Sequence, residues 1–417
     1  MQRIAFLRSA DIRRADPYIH GIAPALARLG AEARLFHTHA RDCGPEDFPG
    51  TSERLDPGAT PDEFVTRVRA WGADAAVAIS LPDEHALRDA VVKTKLEANG
   101  IRTVMSPLAA TRLLCDKWET KRLLEAHGIA TPPAVLVDSD LLNDRALPVP
   151  AYPDAVRLAA QDIGFPLMAK PLWDSTSMGI EFIPDPAALD RYLAARPAAH
   201  AVLEKCLTGE LLSVDIVGAG GHYTVMPVIR TGTAGGPPAF TFDDLRYARP
   251  VPDDGFAPTA RRLVDLCTAL GVEGSVNVDM IHADGVHHVL EINPRIGGAT
   301  TLSIAAGGLN TFTALLDILD GTWPTRTSAP AERFAVECLT ANPTPALLAE
   351  LRTRVDLVTC HDLIIDGRDH GGILTFTVSP GDEQRVVKEL AEWCAQTGFI
   401  PAPMLDKIRR LLTPTDR

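Results

Sequence analysis

The chain has 417 residues, 46% of them hydrophobic and 23% charged, and carries a net charge of −13. That length is too great for one ordinary core and predicts two to four domains; the acidic balance argues against a nucleic-acid backbone as partner, without excluding a local basic pocket for a nucleotide. Seven cysteines (Cys43, Cys115, Cys206, Cys267, Cys338, Cys360 and Cys394) are scattered without CxxC spacing, which points to free thiols in a reducing compartment rather than to a disulfide framework or a zinc site.

The opening stretch, MQRIAFLRSADIRRADPY, holds no apolar segment of signal-peptide length. No run of about 18 apolar residues occurs, so no membrane span and no membrane partner is expected. The expectation is a cytoplasmic protein.

Residues 2–130 alternate strand and helix. Strands are predicted at 3–7, 33–36, 74–79 and 101–105, and helices at 19–29, 63–71 and 84–98. Gly30, Gly72 and Asn99-Gly100 close the helices. This alternation predicts a parallel sheet with helices on both faces. No GxGxxG follows the first strand, which argues against a dinucleotide site there. The loop 9–18 leaves that strand at its carboxyl end, where open α/β sheets bind ligands, and Arg13 or Arg14 could line a substrate site.

Residues 106–128 read as helical, with Asp116 as N-cap for Lys117 onward and Gly128 as the stop. Residues 139–153 read as an irregular insert, and short helices and strands interleave from 156 to 230. GAGGHY at 218–223 is a hairpin turn. Residues 231–255 read as a long loop, functional or disordered; Arg230, Arg246, Arg249, Asp243 and Asp244 are candidates there for meeting a substrate carboxylate or amine. A helix at 256–270 precedes strands at 274–282 and 286–293, then helices at 300–306 and 310–320. TWPTRTSAPAER, 322–333, is a linker by composition. The last ~85 residues form a smaller domain of strands with a helix at 382–396.

The stretch VLEINPRIGG, 289–298, carries the chemistry. Side chains alternate across a strand, so Glu291, Asn293 and Arg295 line one face if the strand stays extended through Pro294. Leu290 and Ile292 then fill the other. A three-residue loop at 283–285 with a bulge at Gly285 would set Asp279 against Val289 and bring Asp279, Glu291 and Asn293 together; a two-residue loop would flip Asp279 away. Two carboxylates and an amide oxygen suit Mg²⁺, with waters and substrate phosphates completing its shell. The alternative is a half-buried edge strand with a solvated polar face.

Three other segments attract notice. In FPLMAKPLWDSTSMG, 165–179, a strand ends at Lys170 and a Ser/Thr turn follows; its hydroxyls and N–H groups could wrap phosphate, or the turn could be an ordinary solvated hairpin. Trp173 beside it shapes a pocket or belongs to the core. In AVLEKCLTGELLSVDIV, 201–217, Glu204 ends one strand and Glu210 begins the next. The connector between them could pair with a base edge. Lys117 occupies a first helical turn, where positive partial charge disfavours a lysine and an incoming phosphate would resolve the conflict. Lys121 and Arg122 read as solvent-facing. His282, His287 and His288 flank a turn, but two are adjacent and point to opposite faces, which weakens a metal reading.

Taken in order, DK with a helix ending in GIATPP, then FPLMAKP, LEKCLTGE and the D…EINPR pair resemble the ATP-grasp superfamily over roughly residues 1–320. The ending EINPR is similar to the carbamoyl-phosphate-synthetase-like and L-amino-acid-ligase branch; D-alanine–D-alanine ligases end differently after the asparagine. The resemblance implies an α/β and α+β architecture: a flavodoxin-like parallel-sheet domain at 1–114, a small ATP-grasp lobe with the ATP lid at 115–206, a large lobe with the Mg²⁺ site at 207–325, and a C-terminal α+β domain at 326–417. It implies ATP and Mg²⁺ as cofactors. Lys117 and Lys170 would contact phosphates, with Ser175 and Ser177 in the loop closing over them. Glu204, with backbone groups of Lys205 and Leu207, would read adenine, and Glu210 would bind ribose. Asp279, Glu291 and Asn293 would hold Mg²⁺, and Arg295 would stabilise an acyl phosphate and the charge developing on attack. The reaction implied is amide formation between a small carboxylate and an amine, by a homodimer. Departures are the single glycine in WDSTSMG and Asp279 in place of the commoner glutamate. A carboxylase or another synthetase on the same scaffold, and a silent ATP-binding regulatory protein, are the alternatives.

Overall fold

The computed structural model describes residues 2–11, 13–45, 47–173, 179–235, 240–248, 255–326, 333–365 and 368–413. The first layer is a five-stranded parallel sheet of β1 (Arg3–Arg8), β2 (Glu32–His37), β3 (Thr51–Arg54), β4 (Ala75–Ala78) and β5 (Arg102–Val104), in the order β3-β2-β1-β4-β5. The strand β3, TSER, was not expected. It is polar, lies at the sheet edge and is mostly exposed, so it has no apolar alternation to read.

Four helices accompany this sheet: α1 (Asp16–His20), α2 (Ala23–Leu29), α3 (Pro61–Ala70) and α4 (Asp83–Glu97). The single helix expected over 19–29 is two, parted at Gly21-Ile22 just before Pro24. Pro24 lacks the N–H a continuous helix needs but fits a first turn. A capping box starts α3, with Glu63 N bonded to Thr60 and Thr60 N to Glu63. One sheet face buries Ala5, Leu7, Phe36, Phe64 and Leu96. The other buries Ile4, Phe6 and Leu35, together with Phe312 and Leu315 from much later in the chain. The sheet is thereby clamped onto the body that carries the site.

Next come α5 (Leu108–Cys115) and α6 (Lys117–Ala126). They break at Asp116, whose carboxylate accepts from Trp118 N and Glu119 N at 2.9 and 3.1 Å. An antiparallel sheet follows, built from β6 (Ala134–Val137), β7 (Leu167–Pro171), β8 (Glu181–Ile183) and β9 (Ala201–Lys205) in the order β6-β9-β7-β8. Helices α7 (Ser139–Leu142), α8 (Tyr152–Ile163) and α9 (Pro186–Ala194) go with it. Part of the insert expected to be irregular is therefore helical: α7 is capped by Asp138, and α8 begins at Tyr152.

The largest sheet holds β10 (Gly209–Ala219), β11 (His222–Val225), β12 (Ile229–Ala234), β13 (Phe240–Ala248), β14 (Gly274–Ala283), β15 (Val286–Asn293), β16 (Phe334–Thr340), β17 (Asp356–Ile365) and β18 (Arg368–Val378). Its path is β15-β14-β10-β12-β13-β16-β18-β17, with β11 paired to β10. The expected long loop at 231–255 is corrected here, because much of it forms β12 and β13. Glycines and prolines between the two strands disguise their alternation, and β13 finds its second partner, β16, far along the chain. The sheet thus runs without interruption into the C-terminal segment.

Helices α10 (Ala257–Ala269), α11 (Thr300–Gly307), α12 (Thr311–Leu319), α13 (Trp323–Arg326), α14 (Pro345–Leu351), α15 (Glu383–Thr397) and α16 (Ala402–Leu412) complete the fold. The linker expected at 322–333 begins as α13, where Trp323 is buried and its Nε1 donates to His222 O at 2.8 Å. Among the described residues no single helix is long and apolar enough to cross a membrane. The consecutive α11 and α12, apolar together, are buried.

Candidate active site

Strands β10, β14 and β15 alternate small polar residues with valine and isoleucine. Ser213 and Asp215, Ser275, Asn277 and Asp279, then Glu291 and Asn293 fall on one face. The opposite face supplies Leu212, Val214, Val276, Val278, Met280 and Ile292 to a core against α10.

The route by which Asp279 meets Glu291 differs from the expected one. The turn has two residues, Asp284 and Gly285, with φ of 50° and 76°, and Ala283 pairs with Val286. Asp-Gly suits such a type I′ turn, whose twist matches the strands. That turn alone would put Asp279 on the wrong face. A bulge at Leu290 restores it: Met280 pairs with Val289, and Asp279 with Glu291. Leu290 packs with Leu207, Leu211 and Ile281.

Asn293 Nδ2 donates to Asp279 Oδ2 at 3.2 Å, which leaves its Oδ1 able to ligate a cation. Burial, then the neighbouring Glu291, push the Asp279 carboxyl above the usual carboxylate range. Burial acts on Glu291 in the same sense, but Lys117, Lys170 and Arg295 outweigh it and hold Glu291 below that range. Two adjacent carboxylates with an amide oxygen, one acid reluctant to ionise beside the other, fit a divalent cation that would relieve their repulsion. Beneath them Asn277 Nδ2 donates to Ser213 Oγ at 2.8 Å and to Asp215 Oδ1 at 2.7 Å. Ser213, Asp215 and Asn277 were not singled out from the sequence; the alternation that exposed Glu291 and Asn293 marks them too.

Lys117 is 7% exposed and reaches Glu291 Oε2 at 3.3 Å. Arg295 does not continue the strand. Its N–H turns back to Asn293 O at 2.7 Å, and its Nε donates to Asp83 Oδ1 at 2.7 Å. Asp83 opens α4 of the parallel-sheet layer and is buried. Sequence reasoning missed it, since nothing local in LPDEH marks a partner some two hundred residues away.

Across the cleft, Glu204 is 2% exposed and lies between Lys170 Nζ and Lys121 Nζ, the latter at 2.6 Å. Lys121, expected to face solvent, is 3% exposed and also donates to Thr131 Oγ1 and Pro132 O. Burial would raise the Glu204 pKa, but Lys121 and Lys170 together bring it below its ordinary value. Glu204→Gln would leave two buried ammoniums without their counter-charge. It should destabilise the nucleotide-free protein by about 3–5 kcal/mol, measured by urea unfolding; a variant as stable as the parent contradicts this pairing.

Lys205 spends its ammonium on Gly164 O and Phe165 O, at 3.0 and 2.8 Å, so only its backbone faces the connector. Glu210 pairs with Arg230, and the strand register sets it on the face opposite Asp279. Arg246 lies 3.7 Å from Glu337, and Asp244 pairs with Lys407. Trp173 is 44% exposed and belongs to no core. His282 and His287 stack at 4.4 Å, while His288 sits on the other face. Ser175, Ser177 and Arg249, with the side chains of Arg14 and Asp243, lie outside the described residues.

Residues 114–299 match the ATP-grasp domain. A D-alanine–D-alanine ligase of Ralstonia nicotianae is 30% identical over 269 residues, covering 60% of this chain and 74% of that protein. The chain belongs to the ATP-grasp family. A second D-alanine–D-alanine ligase, from Cupriavidus necator, is 29% identical over 272 residues, with 60% and 75% covered. The whole ATP-grasp chain also resembles solved structures in fold. The L-amino acid ligase from Bacillus licheniformis aligns with a TM-score of 0.66 and 17% identity, covering 94% of this chain and 97% of the other. The biotin carboxylase domain of the Hydrogenobacter thermophilus 2-oxoglutarate carboxylase, solved with MgADP, gives 0.69 and 13% with 99% of each covered. This ATP-grasp protein is an ATP-dependent carboxylate–amine ligase.

Proposed function

We propose that the ligase activates the carboxylate of an amino acid or small acid as an acyl phosphate and passes the acyl group to an amine, releasing ADP and phosphate. The observation that carries this reading is the meeting of Asp279, Glu291 and Asn293 with Lys117 and Arg295, drawn from separate elements. An oxide is a poor leaving group and a phosphate a good one, so the carboxylate gains an electrophilic carbon.

Asp279, Glu291 and Asn293 would hold Mg²⁺, which supplies charge neutralisation for the phosphates. Lys117 and Lys170, beside Glu291 and Glu204, give their charge to the phosphates, with Ser175 and Ser177 in the loop that covers them. The backbone of Lys205 and Leu207, on the connector after Glu204, reads the adenine edge. Arg295 neutralises the acyl phosphate and then the oxyanion formed when the amine attacks; its planar fork suits both. Asp83 fixes the direction of that fork.

Asp83→Asn should lower kcat roughly 10- to 100-fold through misplacement of Arg295, with the KM for ATP little changed; steady-state kinetics with an unaltered kcat would refute the role. The reading itself is tested by assaying ADP, AMP and phosphate with Mg-ATP and paired panels of acids and amines. ADP that requires both partners, with an amide mass, supports it. AMP release would sink it in favour of acyl-adenylate chemistry.

A further inference from the structure

We propose that His37, His39 and Cys43 form a binding site for a zinc-type divalent ion, separate from the nucleotide cleft and independent of the ligase reading. The segment is His37-Thr38-His39-Ala40-Arg41-Asp42-Cys43, at the carboxyl end of β2. The i, i+2 spacing on extended chain puts both imidazoles on one side, and the bend at 39–41 returns Cys43 toward them. One candidate donor atom from each of the three residues lies within 4.8 Å of the others. Cys43 Sγ is 3.7 Å from His39 Nε2. A tetrahedral ion with bonds of about 2.0 Å to nitrogen and 2.3 Å to sulfur has a nitrogen–sulfur edge of roughly 3.5 Å.

The surroundings prepare the donors. His37 Nδ1 lies 3.2 Å from His39 O. A carbonyl only accepts, so Nδ1 carries the proton and Nε2 keeps its lone pair, the orientation that outer partners give ligating histidines. His39 is 7% exposed; its Nε2 faces Cys43 Sγ, and its Nδ1 has no hydrogen-bond partner among the described residues, so no outer bond holds that ring against turning toward an ion.

Two guanidiniums stand nearby, yet each is matched. Arg41 is held by Asp11, Asp16 and Asp47 at 2.9, 2.7 and 2.7 Å, and Arg8 by Asp16 at 3.0 Å. The rings stack at 4.0 Å with 22° between planes, so binding turns one of them until both lone pairs converge. Cys43 is partly exposed and gives the ion its way in. The ion would pin β2 to the loop carrying Arg41, and through the Arg41–Asp11 pair to the loop after β1. The set lacks CxxC spacing, which is why a search for that pattern passes over it.

The test is a Co²⁺ titration of the chelator-stripped full-length chain in saturating Mg²⁺, which occupies oxygen-donor sites. One equivalent should produce a thiolate-to-cobalt charge-transfer band, displaced by Zn²⁺ and absent in Cys43→Ser. Zn²⁺ should also slow alkylation of Cys43 in the parent protein at least tenfold, followed by peptide mass mapping. No thiolate band, a band that survives in Cys43→Ser, or alkylation indifferent to Zn²⁺ would overturn the site.

Discussion

Glu291→Ala should reduce amide formation by roughly 10³-fold or more, the scale of losing several kcal/mol of charge stabilisation on the phosphates. Glu291 is the carboxylate that stays ionised, because Lys117, Lys170 and Arg295 outweigh its burial. Asp279 beside it is pushed toward its neutral form. Removing Glu291 takes away one of the two carboxylates proposed to hold the cation and removes the Lys117 contact at 3.3 Å. The Mg²⁺ concentration for half-maximal rate should rise in parallel. Activity within tenfold of the parent at ordinary Mg²⁺ would show that the cation is held elsewhere.

Arg295→Ala should cost about 10²–10³ in kcat, the usual price of removing one oxyanion donor. The KM for ATP should barely move, because Arg295 is bonded to Asp83 and in the proposed mechanism serves the acyl group rather than nucleotide binding. Arg295→Lys should recover little, since an ammonium has neither the planar fork nor the fixed direction that Asp83 imposes. ADP release should also lose its coupling to amide formation, as stranded acyl phosphate meets water. Rapid-quench measurement of ADP and amide together reads both effects. Tight coupling in Arg295→Ala would remove the arginine from the acyl-transfer step.

The residues that carry the site were legible wherever the chemistry breaks a local pattern. Glu291 and Asn293 interrupt an apolar strand at every second position, and Asp116 stands where a helix must start. What escaped notice depends on partners distant in sequence. The bulge at Leu290 exists because Leu290 packs with Leu207, Leu211 and Ile281 on other segments. Thus the expected turn was wrong, although Asp279 and Glu291 still meet. Strand β13 is stabilised by β16, so its own stretch reads as loop. Lys121 looks like any helical surface lysine until β9 brings Glu204 against it. Asp83 has a role beside Arg295 only once the parallel sheet docks on the large one.

The most direct test uses a substrate acid labelled with ¹⁸O in its carboxylate. If ATP activates that carboxylate as an acyl phosphate and the amine then displaces phosphate, one labelled oxygen must leave with the phosphate. Mass analysis should find one ¹⁸O per phosphate released, together with ADP and the amide. Unlabelled phosphate, or label carried into AMP, would contradict the account.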